Sequence, residues 1–191
     1  LGFFHRWIEE FAKKCESVHV VCLKEGRHNL PANVSVHSLG KESGRSRIKY
    51  VALLFRHVFS LRNEYETVFV HMNPEYVVLC GWFWKLFRKR ITLWFVHKRV
   101  SIYLRIAVAF ADAVVTATKE SFNIRSPKCH VLGHGIDTDF FSPSLRISQA
   151  RSILFLGRLD PVKRVDEFIG ALEFLHERGV VFSADLVGNP T

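Results

Sequence analysis

The sequence is organised around short apolar runs that read as strands buried on both faces, each followed by a stretch with helical spacing. The runs are VHVVCL (18–23), TVFVHM (67–72), ITLWFVH (91–97), AVVTA (113–117) and SILFLG (152–157), with the more alternating NVSVHSL (33–39), CHVLGHGID (129–137) and FSADLVG (182–188) between and after them. Phe4, Trp7, Ile8, Phe11 and Ala12 fall at i, i+3, i+4, i+7 and i+8, so the chain opens on a helix with one buried face. Residues 48–61, 74–90 and 101–110 predict further helices, and 119–123 a short turn. Val165, Phe168, Ile169, Leu172 and Leu175 form another stripe, closed by Gly179. Residues 41–47 are polar and rich in Gly and Ser, which predicts a mobile loop. Apolar strands alternating with amphipathic helices require a parallel sheet covered on both sides, hence an α/β fold.

Between the two series of elements lies DTDFFSPSLRISQARS (137–152), polar and Pro-containing as a linker should be. The expected division is a first Rossmann-like domain over 1–142 and the start of a second over 143–191. A doubly wound unit normally begins with a strand and a Gly-rich turn before its first helix. Here Leu1 already lies at the helix, the single Met is Met72, and Asn189-Pro190-Thr191 falls in the loop after a strand. The expectation is therefore a piece of a longer chain, with the first strand missing and the second domain only begun.

Composition narrows the class. With 191 residues, 48% of them hydrophobic and 24% charged, the chain can bury a core. No segment approaches the roughly 20 apolar residues that span a bilayer, and the start lacks a signal-peptide layout. Cys15, Cys22, Cys80 and Cys129 have no metal-ligand spacing, and Cys22 and Cys80 sit inside apolar runs, as small core residues do. A reducing cytoplasm is the expected compartment. The net charge of +9 calls for an anionic partner: nucleotide phosphate, lipid headgroup or nucleic acid. The excess is concentrated in 76–111, where Lys85, Arg88, Lys89, Arg90, Lys98, Arg99 and Arg105 occur without a single acid.

The most chemically specific stretch is LGRLDPVKRVDEF (156–168). In an open parallel sheet, ligands bind outside the carboxyl ends of the strands, near helix N-termini. Gly157 at such an end removes side-chain bulk, the Arg158 fork can grip two phosphate oxygens, and Lys163 can add a point charge across the loop. That set suits a diphosphate. Two solvated loop cations remain the plainer reading of the spacing.

HVLGHGIDTDFFSP followed by ILFLGRLDPVKRVDEFIGAL resembles the interdomain crossing and first donor-domain unit of the retaining GT-B glycosyltransferases, in the large family-four group that includes bacterial envelope sugar transferases. The resemblance is strongest over 129–188. It implies that Arg158 and Lys163, which match the family's G-R-x(4)-K pattern, hold the diphosphate of a nucleotide sugar with no metal or other cofactor. It implies further that His71 in TVFVHMN and His97 in LWFVHK are catalytic or acceptor-binding groups at strand ends. Relatives often carry H-x-H at the first place; here the second position is Asn73, an acceptor-side candidate that leaves acceptor identity open. Either histidine can equally be a strand-end residue satisfied by the backbone. His134 and Asp137, between Gly133 and Gly135 and just beyond, read as hinge residues without chemistry.

PEYVVLCGWFWKLFRKR (74–90) sets Trp82, Phe83, Trp84, Leu86 and Phe87 beside Lys85, Arg88, Lys89 and Arg90, the composition of a helix that settles at anionic headgroups. Core packing against the sheet explains most of its aromatics. The expected function is transfer of a sugar from a nucleotide-diphosphate sugar to an acceptor hydroxyl, on a glycan or lipid-linked acceptor in envelope or glycan biosynthesis. The enzyme would be cytoplasmic, peripheral on the inner face of the plasma membrane, and this piece inactive alone because the implied acidic donor-site pair lies farther on. The rivals are another GT-B enzyme, epimerase or phosphorylase-like, and a non-enzymatic basic module on membrane or nucleic acid. No helix-turn-helix, RNP-like or zinc signature supports nucleic acid as a partner.

Overall fold

The computed structural model describes residues 2–44, 46–139, 141–142 and 151–189. It divides into two compact units, Leu1–Gly135 and Ile136–Thr191. Of the linker expected over 137–152, Phe140 and residues 143–150 lie outside the described residues.

The first unit runs α1 (Gly2–Ala12), β1 (Val18–Cys22), β2 (Val34–Ser38), α2 (Arg47–Ser60), β3 (Thr67–His71), α3 (Pro74–Leu86), β4 (Arg90–Trp94), α4 (Ile102–Phe110), β5 (Ala113–Thr116) and β6 (Cys129–Val131). Strands β3-β4-β5-β6 form one sheet in that order, every pair parallel, with Val68 opposite Ile91, Leu93 opposite Val114 and Val114 opposite Cys129. Strands β1 and β2 pair with each other in parallel, Val21 opposite His37, and β1 has no ladder with β3 among the described residues. The two sheets nevertheless share a core. Leu39, Leu54, Val58, Val70, Val77, Ile91, Leu93, Leu104, Ala107 and Val114 are all buried in it, with Val21 and Leu23 packed against them. This is the Rossmann-like α/β class that the apolar runs predict.

Alternation of side chains along β3 and β4 assigns the layers. Val70, Ile91 and Leu93 face the core shared with α2, α3 and α4. Phe69, His71 and Trp94 meet α1 instead: Phe11 packs at a tilt on Phe69 at 5.1 Å, and Trp7 meets Trp94 edge-on at 4.8 Å. The end of α1 is tied to the start of β2 by Asn33, whose amide donates to the Ala12 carbonyl at 2.9 Å and that of Cys15 at 3.1 Å, satisfying helix-end acceptors. Cys80 is fully buried, and burial pushes its thiol up to about 12, so it packs as a small inert hydrophobe.

Within the loop expected over 41–47, residues 41–43 form a 3-10 turn flanked by Gly40 and Gly44 at φ 86° and 65°. One local expectation changes. The third helix stops at Leu86 instead of Arg90. Phe87 caps it with its amide on the Lys85 and Phe83 carbonyls, Arg88 turns the chain at φ 55°, and Arg90 already belongs to β4. The apolar spacing continues past the end because Phe87 packs back on Phe83 at 4.5 Å.

In the first unit α3 and α4 approach closely at Gly81. A Cβ at Gly81 would lie 2.8 Å from Cγ and 3.0 Å from Cβ of Phe110, atoms near the root of a ring that cannot swing aside. Gly81→Ala should therefore lower the stability of the first unit by about 1–3 kcal/mol, although alanine favours the helix. A denaturant midpoint equal to or above that of the parent would show that the joint has slack.

Candidate functional site

The second unit contains β7 (Ser152–Leu156), a 3-10 turn (Pro161–Lys163), α5 (Val165–Glu177) and β8 (Ser183–Val187). β7 and β8 are parallel, with Ser152 opposite Ser183 and Leu156 opposite Val187. Ile153 and Phe155 turn one face of β7 toward α5, where Phe155 packs at a tilt on Phe168 at 5.2 Å. The loop that carries Gly157, Arg158 and Lys163 therefore leaves the carboxyl end of a parallel strand and enters a helix.

Backbone contacts shape that loop. Gly157 donates to the Val187 carbonyl at 3.0 Å and Leu159 to that of Asn189 at 3.1 Å, so the chain stays alongside β8 beyond the last ladder pair. The approach is close: a Cβ on Gly188 would sit 1.7 Å from the Gly157 carbonyl oxygen, which only a glycine permits. Asp160, half-buried, caps the turn by accepting from the Val162 amide at 2.9 Å, and its other oxygen lies 3.2 Å from an Arg158 terminal nitrogen. Arg158 is steered by that carboxylate while its side chain stays 70% exposed. Arg164, in the left-handed region at φ 51°, bonds Glu167. Lys163 is exposed, with no ion pair for its ammonium among the described residues. One pre-oriented guanidinium and one uncompensated ammonium thus flank a turn with only four residues between them, the charge and geometry that an anion with several oxygens requires. Asp160 was not among the candidates read from sequence. Its signal was there, since Asp-Pro at the start of a helical pattern marks a cap.

In the first unit, His71 closes β3. Its ring packs against Phe4 at 4.7 Å and Trp7 at 5.7 Å, and burial lowers its pKa. The next residue, Met72, has φ 60°, an unusual conformation for an unbranched but bulky side chain. It is fixed by its amide on the Trp94 carbonyl at 2.8 Å and by its sulfur, which accepts from Val96 N at 3.2 Å. Asn73 is exposed and donates its side-chain amide to the His71 carbonyl at 3.0 Å. His97 lies three residues past the end of β4, exposed; its Nδ1 accepts from the Arg99 amide and its own amide donates to the Ser121 carbonyl, both at 2.9 Å. His71 and Asn73 therefore share one turn, while His97 belongs to a separate loop. His134 meets the Trp94 ring at 6.3 Å. Among the described residues, no group of three or more His, Cys, Asp or Glu is placed to hold a metal ion.

The four cations Lys85, Arg88, Lys89 and Arg90, at the end of α3 and just beyond it, do not act as one cluster. Lys85 pairs with Asp112 at 2.5 Å. Lys89 donates to the Tyr65 carbonyl at 2.5 Å and lies 5.0 Å from the centre of that ring. Arg88 and Arg90 are exposed. Trp82, Leu86 and Phe87 are exposed too; Trp82 and Phe87 join Phe59 through Phe83, with the Arg62 guanidinium 4.3 Å above Phe59. No helix among the described residues is long and apolar enough to cross a membrane.

Each unit is thus a parallel α/β element whose polar candidates emerge at strand carboxyl ends, the Rossmann-type arrangement. No protein-family model and no curated protein matches the sequence. Among solved structures the chain is similar to Anabaena Alr3699/HepE. The complex with UDP aligns at a TM-score of 0.67 with 18% identity, over 98% of this chain and 57% of that one. The complex with UDP and glucose aligns at 0.60 and 14%, over 97% and 65%, and the complex with UDP-glucose at 0.54 and 14%, over 91% and 61%. At these identities the likeness is one of fold, and the chain spans 57–65% of the length of those structures.

Because burial lowers the pKa of His71, its neutral form is favoured in the folded state. The unfolded chain then binds the extra proton between the folded pKa and the ordinary value near 6.5. The stability linked to this residue is fully present above about pH 6.5 and is lost as pH falls through the folded pKa. Thermal midpoints should accordingly drop less between pH 7.5 and 5.5 in His71→Phe than in the parent; equal drops would remove His71 from the acid response.

Proposed function

We propose that the chain is part of a retaining GT-B glycosyltransferase of the family-four group, which moves a sugar from a nucleotide-diphosphate sugar to an acceptor hydroxyl. The observation that carries this reading is the Gly157–Lys163 loop: a strand-end turn holding an exposed, carboxylate-steered arginine and an uncompensated lysine. The likeness to a fold solved with UDP and with UDP-glucose supports it.

In this reaction the bond between the anomeric carbon and the diphosphate oxygen breaks, and the nucleoside diphosphate leaves with the electron pair. The acceptor oxygen bonds to the anomeric carbon on the face the diphosphate left, and the acceptor proton is released. Arg158 and Lys163 stabilise the charge that grows on the leaving oxygens, the role a divalent ion plays in other transferases. Gly157 lets the diphosphate approach the backbone. His71, held by Phe4 and Trp7, and Asn73 on the same turn would orient the acceptor; His97, from its own loop, would contact either sugar. The acceptor is a glycan or a lipid-linked glycan of envelope biosynthesis, and the enzyme works in the cytoplasm on the inner face of the plasma membrane.

The exposed side chains of Phe59, Trp82, Leu86 and Phe87, with Arg62 over Phe59 and the exposed Arg88 and Arg90 following Phe87 in the sequence, favour contact with an anionic bilayer. Lys85 and Lys89, already engaged within the domain, are not needed for it.

Each charge-assisted contact to a diphosphate contributes about 1.5–3 kcal/mol. In the full-length enzyme, Arg158→Ala and Lys163→Ala should therefore each lower kcat/KM by about 10- to 150-fold, with transfer, not epimerisation or phosphorolysis, as the product of a labelled nucleotide sugar. Unimpaired turnover in both variants would discard the loop's assignment. The membrane contact is tested separately by liposome flotation. Binding should require anionic lipid and disappear in Arg88→Glu/Arg90→Glu, while Lys85→Gln retains it; attachment to neutral vesicles alone would refute the surface.

A further inference from the structure

A histidine cluster lies in the first unit that no step of the proposed transfer uses. His19 of β1 and His37 of β2 project from the same face of their two-stranded sheet, since His19 shares a face with Val21 and Val21 is the register partner of His37. Their rings stack at 5.5 Å with 29° between planes, and His19 Nδ1 lies 3.2 Å from His37 Nε2. His57 of α2 packs on the His37 ring at 5.0 Å. On its other side His19 turns Nε2 toward the Glu64 carboxylate at 3.4 Å, with the His19 side chain only 14% exposed.

The contacts dictate a proton arrangement. The carboxylate favours a hydrogen on His19 Nε2, which leaves Nδ1 as a lone pair. His37 must then donate its own Nε2–H, giving a directed chain from His37 through His19 to Glu64. One added proton can be shared along this chain, because Glu64 offsets its charge. A second cannot. With both imidazoles cationic, two N–H groups would point at each other over 3.2 Å, and a charged His57 ring would stand 5.0 Å from the His37 ring. The groups around the cluster do not compensate: Glu64 is 57% exposed, Glu25 acts on His37 only through space, and Arg56 adds positive charge beside His57. Burial first, and neighbouring cations second, lower the pKa of both His37 and His57.

Protonation here has a defined structural target. Among the described residues the β1–β2 pair has no ladder with β3; apart from the Asn33 tie to the end of α1, it meets the rest of the unit through the shared core, which includes Leu54 and Val58 of α2. The histidine contacts bridge that same seam. We propose that His19, His37 and His57 form an acid-operated latch, closed while at most one proton is held and open when a second arrives, which frees the β1–β2 pair from α2.

The test is hydrogen exchange on the 191-residue chain at pH 7.5, 6.5 and 5.5, with protection factors corrected for the intrinsic rate. If opening takes up one further proton, protection of Val18–Cys22 and Val34–Ser38 should fall by about tenfold per pH unit below 6.5, while Ile91–Trp94 and Val114–Thr116 change less. His37→Gln keeps a donor for His19 but cannot be charged, and should flatten the response at β1 and β2; His57→Gln should flatten it partly. At pH 7.5, nitrogen-15 spectra should show the Nε2–H tautomer for both His19 and His37. A protection loss uniform across all strands, or one unchanged in His37→Gln, would overturn the latch, as would an Nδ1–H tautomer at His19 in the intact parent. The tautomer reading keeps the idea testable if either variant fails to fold.

Discussion

The register of β4 between β3 and β5 is the constraint from which the first unit is built. β4 is hydrogen-bonded on both sides and its inward residues, Ile91 and Leu93, are fully buried. Its start is pinned as well: Asp112 accepts from the Ile91 amide at 2.8 Å with one oxygen and from Lys85 at 2.5 Å with the other, so one carboxylate joins the end of α3, the start of β4 and the start of β5. Burial alone would raise the pKa of that carboxyl, but the Lys85 ammonium and the Ile91 amide outweigh it and hold it below its ordinary value. Once the start is fixed, strand length decides what emerges at the other end. Met72 bonds the Trp94 carbonyl and Phe95 the Val115 carbonyl, which places the His71–Asn73 turn and the His97 loop at the carboxyl edge.

The same economy accounts for part of the positive charge. Lys85 serves Asp112, Lys89 the Tyr65 carbonyl, and Lys128 sends its ammonium to the Val108, Ala109 and Ala111 carbonyls at 3.3, 3.1 and 2.8 Å. Those three are acceptors at the end of α4 that no helical amide can reach, and a cation there also opposes the negative end of the helix dipole. Tyr65 extends the stitching, accepting from the Trp84 indole at 3.2 Å and donating to the Val58 carbonyl at 3.0 Å. Several lysines of a chain with net charge +9 are therefore internal fasteners. The charge left for an outside anion rests on exposed residues of both kinds, among them Arg88, Arg90, Arg158 and Lys163.

This explains what could be read in advance. The strands were legible because residues buried on both faces leave a local mark, a continuous apolar run, and the Arg158–Lys163 loop was legible because its elements adjoin in sequence. The end of α3 was not, since Phe87 satisfies the helical stripe while its neighbour Arg88 adopts a left-handed conformation that no spacing reveals. Nor were the partners of the lysines: Lys85 meets a residue 27 positions away and Lys89 one 24 away. The histidines show the same limit. His71 looks like any strand-end histidine until α1 brings Phe4 and Trp7 onto its ring, and the His19–His37–His57 group exists only because two strands and a helix converge.

The two units also differ in how firmly they can hold what they carry. The first has a buried core, whereas none of the described residues of the second is fully enclosed: Leu154 and Leu156 on the outer face of β7, and Val187 beside them on β8, are between 50% and 75% exposed. Uncovered apolar area forgoes roughly 25 cal/mol per Å², and a two-stranded sheet under one helix is marginal by itself. The Arg158 loop hangs from those strands through the Gly157 and Leu159 amides, so its order depends on theirs. Cations stabilise a leaving diphosphate only to the extent that they are already in place when charge develops. Cover over the Leu154–Leu156–Val187 face would therefore act on the proposed diphosphate contact at a distance, by fixing the strand ends from which the Arg158 and Lys163 side chains project.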